Sequence, residues 1–166
     1  QATEFTPGAP QTGELSPANE TDAYKFSVTA GQRFFFDGLS NTSDAHWRLL
    51  DPYGRTVAGP QSMASDIGEL TLDLDGSYTL LVEGRANAVG TGAYSFNVSL
   101  LQDTPPVAMA LGALVQGSIG AAGLKNGYTF TLDADKRVLF DSLTNSGTIN
   151  WSLTGPGGAI VAGRRL

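Results

Sequence analysis

The sequence predicts an all-β fold, a sandwich or barrel of short strands laid down once in full and again in part. Three observations carry this. Apolar and polar residues alternate in stretch after stretch, as at Tyr24, Phe26 and Val28 against Lys25 and Ser27, which is the period of a strand with one wet face. Turn residues interrupt these stretches at short, regular spacing, and no stretch has helical period with caps. Finally, residues 24–59 return at 128–163 without a gap. Tyr24 falls on Tyr128, Phe26 on Phe130, Arg33 on Arg137, Phe36 on Phe140, Asp37 on Asp141, Asn41 on Asn145, Trp47 on Trp151 and Pro52 on Pro156.

Taken in order, residues 1–12 are rich in Pro, Gly, Thr and Gln and read as an extended lead-in. Gly13-Glu14-Leu15 opens the first copy, and Gly117-Ser118-Ile119 matches it. The alternation at 24–28 is one strand, turned by Ala30-Gly31. Residues 32–37 are apolar on both faces at Phe34, Phe35 and Phe36, which predicts a central, covered strand. Ala45, Trp47 and Leu49 share one face of the next, with His46 and Arg48 on the other. Asp51-Pro52-Tyr53-Gly54 is a turn, with Pro where φ is preset and Gly at its end. Residues 55–58 return from it. Three further alternating runs follow, at 70–72, 78–82 and 94–98. Gln102-Asp103-Thr104-Pro105-Pro106 then stiffens the chain where no central strand can run. The predicted organisation is a complete domain at 1–101, a linker at 102–106, and the first five strand segments of a second copy at 107–166. A spacing of domain length marks a tandem array of domains rather than a solenoid.

Composition narrows the function. A net charge of −6 with dispersed Lys and Arg argues against nucleic acid, whose phosphates demand a basic face. The longest apolar run, 107–115, is too short to span a bilayer. Gln1 is no initiator, so the chain reads as an excised fragment. The lack of Cys suits either the cytoplasm or bacterial surface proteins that avoid disulfides.

Catalysis finds no constellation, and the expectation is a non-enzyme. The chain has one His and no Cys, so neither a thiol nucleophile nor a zinc cluster can be drawn. His46, with Asn150 as its counterpart, reads as an exposed polar strand residue. Trp47 and Trp151 could stack on sugars, but each shares its strand face with aliphatic residues and reads as core. Asp37 and Asn41 recur as Asp141 and Asn145 in the phrase F-D-x-L-[ST]-N. Their oxygens could ligate calcium together with backbone carbonyls. They could equally cap a turn, which is the leading reading because calcium loops gather more carboxylates. Glu20 and Asp22 are a second calcium candidate in the first copy only, replaced by Leu124 and Asn126. Calcium apart, no cofactor is expected. Arg33 and Asp37 share a strand face and are expected to form a surface ion pair.

The phrases T-D-A-Y-K-F-S-V-T-A-G-Q at 21–32, D-P-Y-G at 51–54, D-G-S-Y-T-L-L-V at 75–82 and G-A-Y-S-F-N-V at 92–98 together resemble the bacterial pre-peptidase C-terminal domain. The phrases F-D-S-L-T-N at 140–145 and W-S-L-T-G-P-G-G at 151–158 look most like its repeats in very large extracellular proteins. The resemblance implies an antiparallel jelly-roll β-sandwich, one complete copy followed by a truncated second. It also implies an extracellular module of a secreted or surface protein. That module acts as a spacer or adhesion segment among other repeats, or else attaches a secreted hydrolase to a polysaccharide or protein. No membrane insertion is expected. Half a sandwich leaves Phe130, Phe140 and Trp151 uncovered, so a homodimer through the residues after Pro106 is expected.

Overall fold

The computed structural model describes residues 2–42, 44–144 and 146–165. Strands and turns make up the described residues, with no helix among them. The chain divides into two units, Gln1–Thr129 and Phe130–Leu166. In the first unit the strands are β1 (Thr3–Glu4), β2 (Gln11–Leu15), β3 (Thr21–Val28), β4 (Gln32–Asn41), β5 (His46–Leu50), β6 (Thr56–Ser62), β7 (Gly68–Leu72), β8 (Gly76–Glu83) and β9 (Gly92–Leu101), followed by β10 (Val107–Ala108) and β11 (Tyr128–Thr129). The second unit holds β12 (Asn150–Gly155) and β13 (Gly158–Arg165).

β1 to β9 form two sheets, ordered β1-β3-β8-β5-β6 and β2-β9-β4-β7. All pairings are antiparallel except the short parallel contact of β1 with β3. From β2 onward the chain changes sheet at every connection except the β5–β6 hairpin. That order is the jelly roll. Period-two alternation then turns one face of each strand toward the other sheet. Tyr24, Phe26, Phe36, Trp47, Leu49, Tyr78, Val82, Tyr94 and Phe96 all lie in the one buried cluster. Trp47 has no exposed surface and its Nε1 has no hydrogen-bond partner among the described residues. The indole packs against Phe96, with ring centres 6.4 Å apart.

Several expectations need correction. The extended lead-in is seated on the sheet, which the sequence did not show: Thr3 and Glu4 pair with Tyr24 and Lys25, and Phe5 packs on Phe26 at 5.4 Å. Arg33 does not pair with Asp37. Four strand residues span about 13 Å, and Arg33 instead meets Glu69 at 2.6 Å on β7 and Asp103 at 2.5 Å. Phe35, on the outer face of β4, is only half-buried. Of the five strand segments expected after Pro106, 117–119 and 136–141 form no strand. Their counterparts β2 and β4 are held by β9 and β7, for which the sequence offers no second copy within these residues. Asn145 lies outside the described residues.

One change of register separates the two hairpins. In the first, Leu49 faces Ala58 and Leu50 faces Thr56. In the second, Leu153 faces Val161 and Thr154 faces Ala159, one residue earlier by the alignment. The cause is Asp51. Its Oδ1 accepts from Tyr53 N at 2.8 Å and Arg55 N at 2.9 Å, and its Oδ2 from Arg55 Nε at 2.7 Å, which braces a wide turn. Gly155 replaces it and pairs directly with Gly158, leaving only Pro156 and Gly157 in the turn. A one-residue slip exchanges the faces of a strand. Val57 is accordingly 40% exposed, whereas Val161 is half-buried opposite Leu153.

Trp47→Ala should lower stability by about 3–5 kcal/mol. Trp47→Phe should cost clearly less, because a ring still fills much of the space. Chemical denaturation of both variants checks this; equal losses would mean that the phenyl ring does not fill the site.

Candidate functional site

A seam of polar groups crosses the sandwich core. Tyr24 on β3 and Tyr94 on β9 come from different sheets, and their hydroxyls meet at 2.7 Å. Tyr94 donates its single hydroxyl proton to Asp22 Oδ2 at 2.5 Å. Tyr24 must therefore be the donor to Tyr94, giving a one-way relay from Tyr24 through Tyr94 to Asp22. Burial, with the hydrogen bonds to Asp22 and Tyr24, pushes the Tyr94 phenol far above its ordinary value. Burial also raises Tyr24, the Tyr94 hydrogen bond works against this, and the Asp22 charge adds to it. The relay leaves no room on β2. A Cβ on Gly13 would lie 2.7 Å from Tyr24 Oη and closer still to Tyr94 Oη, so this strand position requires glycine.

Two carboxyl groups meet at the opposite flank of β4. Asp37 lies beside Asp66 on the β6–β7 connection, and Asp66 Oδ1 accepts from Gly38 N at 3.0 Å. Burial first, then the Asp66 charge, raise Asp37 above the usual carboxylate range. A like charge nearby disfavours the ionised form of a carboxyl group. Asp51 behaves in the opposite way. Burial would raise it, but hydrogen bonds from the Arg55 backbone and side chain and from Tyr53 N outweigh that and hold it low.

The four calcium candidates are distributed rather than gathered. Glu20 Oε1 accepts from Ser16 N at 2.6 Å. Asp22 belongs to the tyrosine relay. Asp37 faces Asp66, and Asn41 stands opposite Tyr94 in the β4–β9 ladder. Among the described residues no three Asp, Glu, His or Cys side chains group as metal ligands. His46 is half-buried rather than exposed. Its Nε2 meets Arg85 Nη1 at 3.1 Å and its Nδ1 the Asp44 carbonyl at 3.3 Å. Asp66 carries no sequence signal that marks it as the partner of Asp37, because it sits in a loop 29 positions downstream. At the surface, Tyr53 is 77% exposed at the tip of the β5–β6 turn, with the Arg55 guanidinium 5.3 Å from its ring centre. A shallow groove of about 350 Å³ runs beside β1, lined by Glu4, Phe5, Pro7, Lys25 and Ser27 among others.

No family model matches the chain, and no curated protein does. Solved structures do. The pre-peptidase C-terminal domain of collagenase from Bacillus anthracis is 23% identical, with 60% of this chain and 95% of that one covered and a TM-score of 0.48. PliG of Aeromonas hydrophila, a periplasmic lysozyme inhibitor of g-type lysozyme, is 17% identical over 60% of this chain and 95% of that one, at a TM-score of 0.47. PliG of Salmonella Typhimurium, with the same description, is 20% identical over 60% and 98%, at 0.45.

Tyr94→Phe should cost about 1–3 kcal/mol, because it strands the Tyr24 hydroxyl and removes the donor to Asp22; urea unfolding measures it. The Asp37–Asp66 pair has a definite pH sign. The folded state holds the Asp37 proton more tightly than the unfolded chain. Its contribution is therefore full below the ordinary carboxylate pKa and is lost as pH rises through the folded value. Asp51 contributes above its ordinary value and loses this as pH falls. Asp66→Asn keeps the acceptor for Gly38 N and removes the repulsion. The variant should gain melting temperature relative to wild type at neutral pH and not in acid; an equal shift at both would show that the Asp66 charge does not act on Asp37.

Proposed function

We propose that this chain is a non-catalytic extracellular repeat module, a spacer or adhesion segment of a large bacterial surface or secreted protein. The observation that carries the reading is local geometry recurring at an offset of 104 residues. Thr3 and Glu4 pair in parallel with Tyr24 and Lys25, and Val107 and Ala108 pair in parallel with Tyr128 and Thr129. The aromatic side chains of the first sandwich lie in its core apart from Phe35, half-buried on the outer face of β4, and Tyr53, the strongly exposed one among the described residues. Both ring nitrogens of His46 are engaged, by Arg85 and by the Asp44 carbonyl, which fits a scaffold better than a catalyst. Other repeats of the same parent protein are its neighbours in this reading.

The second reading is an accessory module that binds polysaccharide or protein for a secreted hydrolase. Tyr53 with Arg55 favours it, since an exposed ring backed by a cation can stack on a sugar or a side chain. A glycan-array and collagen pull-down screen separates the two. The spacer reading expects no saturable binding. Binding that disappears in Tyr53→Ala would establish the second reading instead.

The homodimer belongs to the same proposal, closing through residues after Pro106. Leu139, Leu143 and Ile160 are 88%, 74% and 66% exposed, and such surface is unfavourable in water. Light scattering should report twice the chain mass, and removal of residues 107–166 should return a monomer. A monodisperse full-length monomer would refute the dimer.

A further inference from the structure

The outer face of β4 and β9 carries an apolar patch that the sandwich core does not account for. Along β9, Tyr94, Phe96 and Val98 belong to the core and Leu100 packs against it. Strand alternation therefore turns Leu101 outward, and Leu101 lies outside the core cluster. It is nonetheless only 5% exposed. Leu101 stands opposite Arg33 in the β4–β9 ladder, and Phe35 shares that outer face two residues along β4.

The turn at residues 121–125, which belongs with the first unit, covers the patch. Gly123 rests directly on it. A Cβ there would lie 3.0 Å from a Leu101 methyl carbon and 3.0 Å from the Phe35 ring. Gly123 also has a φ of +81°, so close approach and backbone both require glycine. Charges alternate around this contact. Asp103 meets Arg33 at 2.5 Å, Arg33 meets Glu69 at 2.6 Å, and Glu69 meets Lys125 at 3.8 Å. Single exposed ion pairs contribute little, but a connected set does more. An apolar centre inside a polar rim is the anatomy of a protein interface.

The turn is a repeated element with altered chemistry. The alignment makes 121–125 the counterpart of 17–21, and one bond closes both: Glu20 N donates to Pro17 O at 2.9 Å, and Leu124 N to Ala121 O at 3.3 Å. Three replacements distinguish them: Gly123 for Asn19, Leu124 for Glu20 and Lys125 for Thr21. Together they clear a Cβ from above Phe35, remove a carboxylate and add a cation beside Glu69. Each change suits an apolar seat with an acidic rim.

We propose that the outer face of β4 and β9 is a seat for the first turn of the following repeat, with Arg33 tying the linker to the sheet. Its occupant is this chain's own segment 121–125. The apolar centre supplies the burial, and the ionic rim sets the position of the turn. Residues 102–106 are then one end of a strap rather than a free hinge. The seat stands on its own contacts; calling its occupant the next repeat rests on the spacer reading.

The test uses the full chain, which has no native Cys. A nitroxide is placed on Ala122→Cys, an exposed position beside Gly123, and the amide resonances of the first sandwich are followed by NMR. Strong broadening at Arg33, Phe35, Glu69 and Leu101 is expected. Gly123→Val should abolish it. Arg33→Gln should weaken it, as should raising the salt to about 1 M, where charges are screened within about 3 Å. Gly123 lies outside the strands, so the main melting transition should not move in Gly123→Val; Phe35→Ser is the second blocking variant should it move. No broadening in the otherwise unaltered chain, or broadening that survives both Gly123→Val and Phe35→Ser, would overturn the seat. So would broadening between chains, in a mixture of spin-labelled and isotope-labelled molecules, because the occupant would then be a second copy. Glycan or collagen binding with the seat intact would remove the spacer reading alone, and loss of the seat without such binding would remove the seat alone.

Discussion

The two sheets of the first sandwich cannot form separately, and the rest of the structure depends on that. Apart from the β5–β6 hairpin, each connection after β2 moves the chain to the other sheet. Strands adjacent in sequence therefore face one another across the core rather than pairing edge to edge. Neighbours within a sheet are far apart in the chain: β2 pairs with β9 and β3 with β8. Such pairings close long loops, whose entropy must be overcome before any ladder bond is gained. What both sheets share is the aromatic core, in which Phe26 meets Phe34 at 5.4 Å and Tyr24 meets Phe96 at 5.0 Å. Burial of these rings is the term large enough to hold the two sheets together.

The polar groups inside that core select one arrangement of it. The relay from Tyr24 through Tyr94 to Asp22 needs β3 and β9 in a single register, because a buried hydroxyl without a partner is costly. Gly13 makes the same demand from β2, since any side chain there would displace both phenols. Three strands are thereby keyed to one another by atoms that add little area.

The hairpins show how a single side chain alters a repeated plan. β5–β6 and β12–β13 come from aligned stretches, and both carry Trp, Leu and a bulged ladder. Exchanging Asp51 for Gly155 removes the acceptor that braces the wider turn, and the register moves by one. A different aliphatic residue then takes the inner position opposite the leucine. In the second unit Phe140 lies 5.9 Å from Phe130 and 5.6 Å from Trp151.

By itself the sequence determined which stretches of the first copy are strands, which side chains face inward and where the turns fall. Those properties are local: alternation is read over five or six residues, and Asp51-Pro52-Tyr53-Gly54 is a turn from its own chemistry. It also showed the duplication, because aligned residues need no coordinates. The structure decided what depends on partners distant in the chain. The jelly-roll order, the parallel seat of β1 on β3, the Tyr94–Asp22 bond between residues 72 positions apart and the contact of Asp37 with Asp66 leave no trace in any short window. Asp37 shows why. As a strand residue facing outward it reads as a ligand or a turn cap, and only the crossing of the β6–β7 connection over β4 brings Asp66 to it. The register of β12–β13 was hidden for the converse reason. It turns on a side chain that is absent, and an absent side chain changes a turn only once two strands compete to close it.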